Sequence, residues 1–121
     1  MAGFINLTPH NINILEDDAV KMVIPPNGKS LRIACEFVEV RKQYDVTMYR
    51  AEYGDFVLVE NANTDNRTLG LPPRIPDFVY IVSGQCLEAL RDLDRNDFAA
   101  PGELVRNENG QPIGCKGLKV N

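Results

Sequence analysis

Short apolar runs with a two-residue period, each closed by a strong turn signal, recur along the whole chain and confine it to a sheet-rich fold. Phe4-Ile5-Asn6-Leu7 stops at Thr8-Pro9-His10. Ile12 and Ile14 then alternate with asparagines, and Glu16-Asp17-Asp18 turns the chain into Val20–Ile24 as a hairpin partner. Pro25-Pro26-Asn27-Gly28 reverses direction, since Pro26 presets φ while Asn27 and Gly28 tolerate positive values. Leu31, Ile33 and Cys35 come next on one face, within one long bent strand or two strands joined at Cys35-Glu36. Val46–Tyr49 and Phe56–Val59 flank Tyr53-Gly54-Asp55 and read as a further hairpin.

The pattern changes between Asn61 and Asp77. Pro72, Pro73 and Pro76 exclude a central strand or a helix there, leaving a long surface loop. Phe78–Val82 is a continuous apolar run, the mark of a buried central strand. Ser83 can cap a helix that begins after it, and Leu87, Leu90 and Leu93 approximate a helical stripe. Asn109-Gly110, between Leu104–Arg106 and Ile113–Cys115, predicts a type I′ turn. The expected fold is therefore α+β and mainly antiparallel β. Residues 1–121 form a single compact domain with one α-helix, about 84–93, and a C-terminal β-hairpin.

Composition narrows the function classes. The 121 residues are 44% hydrophobic and 25% charged, ordinary for a globular chain, and with no Trp the core should be aliphatic. A net charge of −4 repels phosphate backbones, so bulk nucleic-acid binding is not expected. The imbalance is too small for a DNA mimic. No apolar run approaches a membrane span. An odd set of scattered cysteines (Cys35, Cys86, Cys115) and no export signal point to reduced thiols in a cytoplasm.

Few residues could carry chemistry. His10 is the sole histidine. It could titrate near neutrality in a cleft, or simply bond local backbone in its turn. Cys115, between Gly114 and Lys116-Gly117, could pair with His10 as nucleophile and base, or fill space as a small buried hydrophobe. Asp92, Asp94 and Asp97, interleaved with Arg91 and Arg95, could serve acid–base work but fit solvated ion pairs at a helix end better. Arg74, Arg95, Arg106 and Lys116 would form a phosphate or carboxylate pocket if they converged. Metal-ligand spacings and glycine-rich phosphate loops are lacking, so neither metal nor cofactor is expected.

Five stretches in order carry a resemblance: Phe4–Ile12 with its Ile5-Asn6-Leu7-Thr8-Pro9-His10 core, Ile24–Gly28, Val79–Ser83, Pro101–Arg106 and Gly110–Leu118. The chain resembles a family of small uncharacterised proteins of bacteriophages, prophages and bacteria with such an N-terminus and a similar Ile-Gly-Cys-x-Gly-Leu end. The resemblance implies a bacterial cytoplasmic setting. By analogy with small acidic phage proteins, it implies a non-enzymatic anti-defence role. The partner would be a signalling nucleotide, held by His10, Arg74, Arg95, Arg106 and Lys116 in a homo-oligomer, or a host defence protein. The alternatives are a small enzyme using His10 with Cys115 or Asp94, and a virion or structural protein.

Overall fold

The computed structural model describes residues 2–17 and 19–121; Asp18, within the expected acidic turn, lies outside them. The strands are β1 (Gly3–Asn6), β2 (Ile12–Glu16), β3 (Ala19–Ile24), β4 (Lys29–Gln43), β5 (Val46–Glu60), β6 (Arg67–Leu69), β7 (Phe78–Ile81), β8 (Phe98–Arg106) and β9 (Pro112–Lys119). One short helix, α1 (Gly84–Ala89), lies between β7 and β8. No helix among the described residues is long and apolar enough to cross a membrane.

Six strands make one sheet in the order β1-β7-β8-β9-β2-β3, and β4-β5-β6 make a second. The fold is mostly β, as the alternation predicts, but the larger sheet is mixed. β1, β7 and β8 run parallel, as do β2 and β9, whereas β8–β9 and β2–β3 are antiparallel. The helical crossover from β7 through α1 to β8 produces the parallel pairing of those two strands.

The six-stranded sheet rolls until its two outer strands meet. Pro26 bridges Asn6, and the Asn27 amide donates to the Asn6 carbonyl at 2.9 Å. Rolling creates two apolar cores. Ile12, Ile24, Ile81 and Cys115, from strands spread across the sheet, meet inside the roll. Tyr80 and Val82 point the other way and pack with Leu31, Leu87, Leu90 and Phe98 under α1 and the base of β4–β5. Gly114 permits the close approach of β9 to β2, because a Cβ there would sit 2.6 Å from the Asn13 carbonyl oxygen.

Several expectations are corrected. The helix ends at Ala89 with Leu90 as its cap, not near Leu93. Leu90 is the last side chain of this segment that is buried in the core, and Leu93 is exposed. Val46–Tyr49 and Phe56–Val59 belong to one 15-residue strand, β5, and not to two arms of a hairpin. The reversal lies at Tyr44-Asp45, both at positive φ (51° and 62°). Tyr53-Gly54-Asp55 is instead a β-bulge: Ile33 pairs Phe56 and Cys35 pairs Tyr53, leaving Gly54 and Asp55 against Ala34 alone.

The 61–77 loop contains the short strand β6. The connection between β8 and β9 is not a two-residue type I′ turn. Only Gly110 has positive φ there, and the Asn107 side-chain oxygen accepts from the amides of Asn109 and Gln111.

Candidate functional site

β1 and β7 are parallel, so their carboxyl ends lie side by side, the edge of such sheets where ligands most often bind. The chain leaves β1 through Leu7–His10 and leaves β7 through Val82-Ser83 into α1. The start of β4 joins them, its Leu31 amide donating to the Leu7 carbonyl at 3.0 Å. Between the three segments lies a depression of about 460 Å³. Leu7, Leu31, Ile33 and Cys86 give it an apolar floor, while Thr8, His10, Arg32, Ser83 and Gln85 supply polar groups.

Asn6 builds the turn that carries Thr8 and His10. It is 1% exposed, and its amide donates to the carbonyls of His10 (2.8 Å) and Ile24 (3.0 Å). Its oxygen accepts from the Thr8 amide (3.0 Å) and hydroxyl (2.7 Å), an Asx turn with every polar capacity filled. On the opposite side Ser83 caps α1 by accepting from the Cys86 amide at 3.2 Å. The Cys86 thiol donates to the Leu31 carbonyl at 3.5 Å. Burial pushes the Cys86 thiol pKa up, partly offset by its bond with Ser83 and the nearby Arg32 charge. Ser83 and Cys86 are therefore held as structure rather than poised as nucleophiles.

The sequence-predicted residues divide among several places. His10 is exposed on the depression and also borders a second, more apolar one of about 470 Å³ lined by Ile12, Pro101, Leu104 and Ile113. Cys115 is 1% exposed, its thiol directed at the Asn13 carbonyl at 3.6 Å. Among the described residues the His10 ring has no hydrogen bond to Cys115 or Asp94. His10 and Cys115 both line the second depression, where the Cys115 thiol is buried and engaged with the Asn13 carbonyl.

Arg95 is committed elsewhere. It makes a two-point ion pair with Asp97 (both contacts 2.8 Å), donates to the Pro72 carbonyl at 3.0 Å, and lies 4.9 Å over the Phe98 ring. This corrects the expectation of Asp97 as a solvated partner, since Asp97 is buried. Arg74 lies near that pair, its charge helping to hold the Asp97 pKa down.

Arg106 donates to the Gly110 carbonyl in the β8–β9 turn. Lys116 faces Glu103 at 3.9 Å and borders a third depression, of about 620 Å³, with Glu16, Asp17 and Lys21. One protomer therefore does not gather the four cations around His10. The cation that does stand there is Arg32, which is absent from the sequence-predicted set. It occupies an ordinary polar position between Leu31 and Ile33, and nothing local marks it. Among the described residues no cluster of three or more His, Cys, Asp or Glu side chains is placed to hold a metal ion.

No family model, curated protein or solved structure matches the chain.

Proposed function

We propose that the protein is a non-enzymatic, phage-type binding protein that acts against bacterial defence by sequestering a small anionic ligand, a signalling nucleotide, in the bacterial cytoplasm. The observation that carries this reading is the grouping of Arg32 and His10 with Thr8, Ser83 and Gln85 around the apolar-floored depression beyond β1 and β7. A guanidinium suits phosphate oxygens, and an apolar floor suits the face of a base. The Cys115 thiol, buried and directed at the Asn13 carbonyl, favours binding over turnover.

Titration calorimetry with cyclic mono- and dinucleotides and with ADP-ribose derivatives tests it. Binding of one class is expected, weakened at least ~10-fold by Arg32→Ala, the scale of one lost charge-assisted contact. Absence of heat with every ligand overturns it, as does a ligand recovered chemically altered.

A further inference from the structure

The half of the β4–β5 pair beyond Cys35 stands apart from both cores. From Glu36 to Asp55 no residue is buried, and Phe37 (72%), Tyr49 (59%) and Tyr53 (40%) expose large rings. These three share one face with Leu31, Ile33, Phe56 and Leu58, which pack at the core, so an apolar face runs out of the domain along the arm. At ~150–250 Å² per ring, the exposed portion reaches several hundred Å², the range of apolar patches with an interaction role. β4 is also an edge strand, paired only with β5. An exposed edge of this length is a template for another strand.

The charges on that edge select the strand. Along β4 the acids come first (Glu36, Glu39) and the bases after them (Arg41, Lys42). A second bulge refines this order. Glu39 pairs Tyr49 and Arg41 pairs Met48, so Val40 is extra and Arg41 moves onto the face that carries Glu36 and Val38. Without the bulge, strand alternation would place Arg41 on the face opposite Glu36.

An antiparallel copy of β4, related by a two-fold axis through Val38, therefore sets Glu36 of each chain opposite Arg41 of the other on one face. Within a protomer neither residue has an ion-pair partner among the described residues. Glu36 instead faces Glu52 across the strands, while Glu52 is taken by Arg50 at 2.8 Å.

We infer that the protein forms a two-fold dimer by antiparallel pairing of the exposed β4 edges, centred on Val38 and registered by reciprocal Glu36–Arg41 ion pairs. The dimer uses one self-complementary patch, as a two-fold interface requires. Its register brings the second copy's Tyr44 level with Ile33, part of the apolar floor of the His10 depression. The inference is independent of what that depression binds.

Sedimentation equilibrium of the full chain tests it. The expected mass is twice 13.5 kDa. Glu36→Lys and Arg41→Glu, each replacing an exposed side chain, leave the fold intact by circular dichroism. Each alone sets like charges opposite each other and weakens association at least ~10-fold. Mixing the two variants restores it, because both cross-pairs become attractive in the heterodimer, and the double variant restores it in one chain. A wild type that is monomeric throughout overturns the inference. So do single variants that still dimerise, or variants that fail to recover on mixing.

Discussion

The side-chain amide of Asn6 lies 3.0 Å from the Ile24 carbonyl, joining the first strand of the rolled sheet to the last. The same side chain fixes the Thr8–His10 turn, so closure of the roll and shape of the site depend on one buried amide. Asn6→Leu keeps the approximate volume but strands the Ile24 carbonyl and frees the turn. An unsatisfied buried group costs about 1–3 kcal/mol, and Asn6→Leu is expected to lose about 2–3 kcal/mol in urea unfolding. Thr8→Val, which removes the hydroxyl shared between Asn6 and the His10 backbone but keeps the Thr8 amide bond to Asn6, should lose about 1 kcal/mol.

The Arg95–Asp97 pair is expected to contribute stability that is lost in acid. Both side chains are mostly buried, and Arg95 and Tyr80 together hold the proline loop by donating to the Pro72 and Pro73 carbonyls. The hydrogen bonds from Arg95 hold the Asp97 carboxyl below its ordinary pKa. A depressed carboxyl stabilises the fold above the unfolded value of about 3.9, and that contribution is lost as pH falls through the folded value. Asp97→Asn leaves the guanidinium unpaired and should cost about 3 kcal/mol at neutral pH. It should also flatten the decline of the unfolding midpoint below about pH 4.

The arm reversal is conformationally unfavourable. Tyr44 and Asp45 both occupy positive φ, a region that disfavours a Cβ by roughly 1–2 kcal/mol per residue. Replacing them by Asn-Gly supplies residues made for that geometry. Because the arm contributes no buried side chains beyond Cys35, the gain should appear as local protection rather than as a raised global midpoint. Amide hydrogen exchange in Arg41–Met48 should slow about fivefold, the equivalent of ~1 kcal/mol, with urea unfolding unchanged.

These residues also mark what the sequence discloses. The apolar run Phe78–Val82 and the Ser83 cap are local signals, and both stand where an unbroken apolar run and capping chemistry place them. The arm is not legible in the same way, because its reversal at Tyr44-Asp45 carries no glycine, whereas Gly54 makes a bulge that imitates a turn. Closure of the sheet depends on a contact 18 residues apart, from Asn6 to Ile24, which no periodicity encodes. Asn6 with Thr8 two positions later is nonetheless a legible Asx-turn signature. Arg32 is not legible, because its value comes from meeting His10 and Ser83, which lie far from it in sequence.

The three cysteines give the sharpest test against a thiol-based activity. Cys86 and Cys115 are 2% and 1% exposed, both directed at backbone carbonyls, and burial holds the Cys86 thiol above its ordinary pKa. A raised thiol pKa lowers the thiolate fraction at any given pH, and burial blocks the reagent as well. Cys35, at the root of the arm, is only half-buried. A thiol reagent at neutral pH should therefore label Cys35 first, with Cys86 and Cys115 reacting only as denaturant opens the domain. Cys115→Ala should cost about 1 kcal/mol through lost packing and leave ligand binding unchanged. Rapid labelling of Cys115 in the folded protein would restore the case for a nucleophile.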